Sequence, residues 1–195
     1  MNKTVLGAFA VALPLAAFAA PENYTLDPHH TYPHFEVEHL GVSNMRGRFD
    51  KSSGKFTIDR AAKTGSVELN VETASLSTGD NDKGARTRAR DEHLRTADFF
   101  NVAEFPRMSY RSSAVKFAGD NPSEIAGNLT LLGVSRPVVL HLERWVCKPH
   151  PVSKKDMCGG NAAATIKRSD FGMKYGLPNV GDELKLYFEF EAYKD

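Results

Sequence analysis

Apolar and polar residues alternate with a period of two over most of this chain. Phe35, Val37 and His39 interleave with Glu36 and Glu38, and Val67, Leu69 and Val71 interleave with Glu68 and Asn70. Such spacing places one set of side chains on each face of a strand. Met108 and Tyr110 oppose Arg107, Ser109 and Arg111 in the same way. Further strands are predicted through Ala114 to Phe117, Ile125 to Leu132, Val138 to Val146, Ala162 to Arg168 and Leu184 to Phe190. Turn residues punctuate them: Pro28, Gly41 to Gly47, Gly119-Asp120-Asn121-Pro122, Gly133 to Pro137, and a loop from Phe171 to Asp182. Ser52-Ser53-Gly54 predicts a hairpin between Arg48–Asp50 and Lys55–Asp59.

One stretch departs from this rhythm. From Gly79 to Thr96 the chain is basic, with Arg86, Arg88, Arg90 and Arg95, and Ala85, Ala89 and His93 recur at helical spacing. A helix is predicted there, with its arginines on a solvated face. It must end before Phe105, because Pro106 forces the preceding residue towards extended geometry. Phe99, Phe100 and Phe105 supply its apolar contact with a sheet. Short strands, tight turns and a single helical insertion predict an antiparallel sheet closed on itself. A barrel of about eight strands is wide enough to be filled by side chains or to hold one small ligand.

The first residues carry a different pattern. Lys3 precedes an apolar run from Val5 to Ala16, and Ala17-Phe18-Ala19 provides small residues at a cleavage position. This predicts a secretory signal peptide over residues 1–19, with Ala20 the neighbouring alternative, and places the mature domain, 20–195, in a bacterial periplasm. Loss of the leader removes one lysine and leaves Lys and Arg equal in number to the 24 Asp and Glu. A neutral domain has no electrostatic footprint for nucleic acid. Cys147 and Cys158 are the only cysteines. In an oxidising compartment an even pair closing a short loop predicts a structural disulfide.

Catalytic patterns are missing from the sequence. No G-x-S-x-G, H-E-x-x-H or phosphate loop occurs, and Ser43 lacks the strand-turn-helix setting of a nucleophile. His30, His39 and His93 form the one plausible metal trio, without a supporting motif, and neither a metal nor a catalytic residue is assigned.

Several blocks, in order, carry a family resemblance. They are Asp27-Pro28-His29-His30-Thr31, Phe35 to His39, Thr78-Gly79, Arg90 to Leu94 with Asp98-Phe99-Phe100, and Phe105-Pro106. Gly127 to Val134 and Arg168-Ser169-Asp170-Phe171-Gly172-Met173 complete the order. Together they resemble the YceI-like family across the mature chain, with the cysteine-bearing loop as the main departure.

The resemblance implies an all-β, extended eight-stranded lipocalin-like barrel with one helical insertion beside it. It implies a non-enzymatic, exported carrier, without a cofactor, whose ligand is an isoprenoid lipid, an isoprenoid quinone or a similar long-chain amphiphile such as a fatty-acid derivative, in an elongated apolar cavity. On the matched blocks the lipid tail would meet Phe35, Val37, His39, Phe49, Phe56, Phe99, Phe100, Met108, Tyr110, Leu129, Leu131, Phe171 and Met173. The polar head would meet His30, Arg90 and His93. Transient membrane contact and a homodimer are compatible with this reading. The competing readings are a stress-related barrel for another apolar small molecule and a metal-dependent enzyme.

Overall fold

A computed structural model describes residues 20–195; the predicted leader lies outside the described residues. Eleven strands form one antiparallel sheet: β1 Glu22–Leu26, β2 Tyr32–His39, β3 Ser43–Phe49, β4 Ser52–Asp59, β5 Thr64–Glu72 and β6 Leu76–Ser77, then β7 Arg107–Ala118, β8 Asn121–Leu131, β9 Val134–Pro149, β10 Asp156–Lys167 and β11 Val180–Lys194. Their order is β1-β4-β5-β7-β8-β9-β10-β11, and pairing of β1 with β11 closes these eight into a barrel. The remaining three, β2, β3 and β6, lengthen it.

The lengthening follows from broken strands. β1 and β2 lie end to end along β11, β1 on Ala192–Lys194 and β2 on Val180–Glu189. β3 and β4 likewise continue one another: β3 pairs with β2 and β6, β4 with β1 and β5. The expected hairpin at Ser52-Ser53-Gly54 is therefore corrected to one interrupted strand. Gly41 to Gly47 is not a break either, since only Leu40 to Val42 turn and Gly47 pairs with Phe35.

Pro28, which cannot donate to a ladder, sits in the first interruption. There the Asp27 carboxylate accepts from the His29 backbone N–H at 2.9 Å and bonds His30 Nδ1 at 2.8 Å. Buried Thr31 donates to the Glu191 carbonyl, and Ser52 donates to the Thr31 carbonyl at 2.7 Å. Both interruptions are thus stitched at one level.

The added end of the barrel stays open at one place. β6 has two residues and pairs only with β3, whereas β7 begins at Arg107 opposite Glu72 of β5. The segment between them covers the gap. Its helix, α1, is Arg90–Leu94, far shorter than the basic Gly79–Thr96 stretch within which a helix is predicted. Gly79 and Gly84 adopt φ of +77° and +53°, which ends any helix there. Arg86 spends its guanidinium on the Asp80 carboxylate, at 2.7 and 2.6 Å, and holds the preceding residues as a loop. Backbone groups beside the gap are satisfied by this segment. The Arg95 guanidinium donates to the carbonyls of Ala74 and Leu76, Thr73 donates to those of Phe105 and Pro106, and Asp91 accepts from Thr78. Phe99 and Phe100 are thereby set into the core.

Cys147 and Cys158 form the predicted disulfide. They face each other directly in the β9–β10 ladder, and Gly159 and Gly160 beyond them are strand residues. Closing a loop of this length contributes roughly 3 kcal/mol in the chain-entropy account. The turn expected over Gly133 to Pro137 shrinks to Leu132-Gly133, both at positive φ, with Pro137 already in β9.

Candidate functional site

Three cavities follow one another inside the barrel. The outermost is about 480 Å³ and opens at the end bounded by β2, β3, α1 and the loop before β11. The second, about 90 Å³, shares Phe35, Phe100 and Leu184 with it, so these three side chains are the partition. The innermost, about 30 Å³, shares Leu69, Tyr110, Leu140 and Phe188 with the second. Only the mouth chamber falls in the size range of ordinary small-molecule sites.

One aromatic of each partition rests on a glycine. A methyl group on Gly47 would come within 2.4 Å of the Phe35 ring, and one on Gly127 within 2.6 Å of the Tyr110 ring. The rings lie where the missing side chains leave room, and their positions set the bore. Phe49 packs against both Phe35 and Phe100, at ring-centroid distances of 6.0 and 5.3 Å. The Tyr110 hydroxyl lies 2.8 Å from the Ile125 carbonyl and 3.0 Å from that of Val138, and burial pushes its pKa up.

Polarity changes sharply along the axis. The innermost chamber is walled by Leu26, Phe56, Ile58, Trp145, Phe190 and similar residues. The mouth chamber is walled by Val37, Leu94, Phe99 and Met173, but also by Arg46, Arg86, Arg88, Arg90, Arg168, His39 and His93. No carboxylate is among its wall residues. The partner carboxylates lie outside the wall: Asp80 pairs with Arg86 and Arg90, Asp98 with Arg88 and His93, and Glu36 with Arg46. Hydrogen bonding and charge from Arg86 hold the Asp80 carboxyl down at about 2, assisted by Arg90. The His93 hydrogen bond, with help from Arg88, lowers that of Asp98.

Arg168 is the buried member of the ring. Its guanidinium donates to the carbonyls of Gly181 at 2.7 Å, Val180 at 2.7 Å and Met173 at 3.1 Å, which fixes the loop before β11 around the opening. Burial lowers its pKa against the opposing charge of Asp182. Burial pulls the Asp182 carboxyl upward, but two hydrogen bonds from Ser169 outweigh it and hold that group below its usual value.

The structure brings most of the residues singled out in the sequence onto this axis. Phe35, Val37, His39, Arg90, His93, Phe99, Phe100 and Met173 line the mouth chamber. Phe49, Met108, Tyr110, Leu129 and Leu131 line the second, and Phe56 the innermost. Two lie elsewhere. His30 sits in an outer groove beside Tyr32 and Glu191, and Phe171, though buried, borders a groove on the barrel's outside rather than the chambers. With His30 apart from His39 and His93, the histidine trio is not assembled. Among the described residues no three His, Cys, Asp or Glu side chains are grouped to hold a metal.

Sequence reasoning missed Arg46, Arg168 and Tyr175 and assigned Arg86 and Arg88 to a solvated face. The Arg168 signal was present, since an arginine opens the Arg168–Met173 block, but nothing local announced its burial.

A closed eight-stranded antiparallel barrel with a polar mouth over an apolar axial cavity defines a lipocalin-like barrel protein. The model of the YceI-like domain matches residues 24–192, and the chain belongs to that family. A Salmonella agona protein named YceI is 34% identical, with 98% of each chain covered, and a Pseudomonas aeruginosa UPF0312 protein is 33% identical over the whole of both. Among solved structures, Burkholderia cenocepacia BcnA superposes with a TM-score of 0.66 at 22% identity, covering 85% of this chain and 98% of that one. A polyisoprenoid binding domain from Saccharophagus degradans superposes at 0.62 and 17% identity, covering 88% and 98%. These structural likenesses establish the shared fold.

Proposed function

We propose that this protein is a periplasmic carrier for an isoprenoid lipid, either a polyisoprenoid or an isoprenoid quinone. The tail runs down the barrel axis and the polar head stays at the mouth. The observation that carries this reading is the succession of one cation-lined chamber and two apolar ones along a single axis. Arg90 and His93 meet the head; Phe35, Phe100, Leu129 and Leu131 meet the tail. The polyisoprenoid binding domain among the structural relatives supports the ligand class. The leader pattern and the disulfide support export.

Enclosure follows from energetics. Each buried methylene contributes roughly 0.8 kcal/mol, and a bilayer offers the tail nearly the same gain. A carrier competes only by covering almost the whole tail, which an axial tunnel does and a surface groove does not. Partitions built of side chains rather than backbone suit such a ligand, because rotamer changes of Phe35 and Phe100 join the mouth chamber to the second.

Organic extraction of the purified mature protein followed by mass spectrometry tests the proposal. One prenyl quinone or polyprenyl species per chain is the expected result. An extract free of lipid, from protein never exposed to detergent, overturns it.

A further inference from the structure

We propose that the β2–β3 hairpin tip, with the adjoining loop before β11, docks the tunnel mouth onto a phospholipid bilayer, an inference that rests on the carrier reading. Eight large apolar side chains stand exposed among the described residues, and four of them are here: Val42 at 84%, Leu40 at 58%, Tyr175 at 49% and Leu177 at 37%. The two loops form one rim. Leu40 donates its backbone N–H to the Asn179 carbonyl at 2.7 Å, and His39 pairs with Val180.

Leu40 has no local reason to be leucine. It holds φ of +59° ahead of Gly41 at +65°, a turn whose first position favours Asn, Asp or Gly. The β8–β9 turn repeats the pattern, with Leu132 at +51° before Gly133, but Leu132 packs against the core. Leu40 bears the same backbone conformation with its side chain in water. A residue that breaks the turn rule without a packing return points to a role outside the folded chain.

The chemistry around the tip fits lipid head groups. In the Glu36 and Asp80 ion pairs the cation stands out and the carboxylate is recessed: Arg46 is 79% exposed against 6% for Glu36, and Arg86 55% against 15% for Asp80, whereas Asp98 and Arg88 are equally exposed. Guanidinium N–H groups are therefore presented to phosphate oxygens, which they bind in a forked geometry. Exposed Glu38 and Asp82 share the rim, so the complementarity is to phosphate itself rather than to net surface charge. Tyr175 joins the two regions. It packs on His93 and Phe99 inside the chamber while half exposed at the rim, a position suited to a membrane interface. Docked this way, the opening faces the phase from which the lipid comes.

The test is flotation of the mature protein with vesicles of phosphatidylethanolamine and phosphatidylglycerol, alongside V42D and L40N. Wild type is expected to float with the vesicles, and V42D to lower the partition coefficient roughly tenfold or more, the factor for losing a buried valine. L40N is expected to lower it as well while unfolding at the same or higher denaturant, because asparagine accepts the left-handed conformation. V42C supplies the only free thiol among the described residues, and an environment-sensitive dye on it should shift to the blue on vesicles. Equal binding by wild type and both variants, or an unmoved dye, overturns the proposal. So does a V42D effect confined to the molecular mass in solution, which assigns the tip to a second copy. Lipid extraction from the same samples separates the two readings: one lipid per chain without vesicle binding overturns docking alone, and vesicle binding by a chain that never yields lipid overturns the carrier alone.

Discussion

The ring of Phe35 lies across the backbone of Gly47, its cross-strand partner, with no room between them for a methyl group. A glycine on β3 thus decides how far a β2 side chain stands off the wall, and so where the first partition falls. Gly47→Ala is predicted to push the Phe35 ring towards the axis. Overpacking of this kind costs about 1–3 kcal/mol, so the urea midpoint should fall modestly while lipid recovered per chain drops several-fold. Unchanged lipid recovery would show that the Phe35 ring does not set the bore.

Leu131 belongs to the second chamber and to neither partition. Leu131→Trp fills a space of about 90 Å³ and should lower lipid occupancy while the barrel still folds. Circular dichroism and mass spectrometry on the same preparation check both halves. Undiminished lipid in a folded variant would place the tail outside this chamber.

Arg168→Met leaves three carbonyls, one in the loop before β11 and two at the start of β11, without their donor. Unsatisfied buried acceptors cost about 1–3 kcal/mol each, though not additively, so a loss of about 3 kcal/mol or more is expected in denaturant unfolding. Arg168→Lys should recover only part of it, because one ammonium lacks the guanidinium's fixed fork of donors. A loss under about 1 kcal/mol for Arg168→Met would mean that the loop closes without it.

Acid should loosen the rim in a defined window. The Asp80 carboxyl is held at about 2 in the folded chain, below its ordinary value of 3.8. A depressed carboxylate stabilises the fold above its unfolded pKa, and that contribution is lost as pH falls through the folded value. The tie between the 80–90 loop and Arg86 should therefore be intact above about pH 4 and lost towards pH 2. Amide exchange of residues 80–94, compared at pH 4.5 and pH 2.5 after correction for intrinsic rates, reads this directly. Equal protection at both values would remove Asp80 as the anchor.

The barrel was legible because period-two alternation is written into several of its strands, and Val67, Leu69 and Val71 announce their inward face without any partner. The interrupted strands were not. Ser52-Ser53-Gly54 has the composition of a turn, and only the pairing of β3 with β2 and of β4 with β1 shows that the chain runs on. The helix was overread because alanines at helical spacing ignore what Asp80 does to Arg86 from outside the periodic window. Of the site, the phenylalanines could be named from the blocks that resemble the family, and alternation supports only those on strands, such as Phe35. The arginine ring could not, because an arginine beside a carboxylate reads the same whether it faces a cavity or water.

Trp145 is the chain's single tryptophan, and its indole lies against Phe56 and Phe190 at the innermost chamber, with its N–H buried and unpartnered among the described residues. The far end of the tunnel therefore contains the molecule's own optical reporter. Emission from an indole in so dry a setting lies to the blue, and a quinone ring or a polyene in the tunnel would quench it by contact or energy transfer. Loading and release can then be followed in real time on unlabelled protein, from the end of the tunnel opposite its entrance.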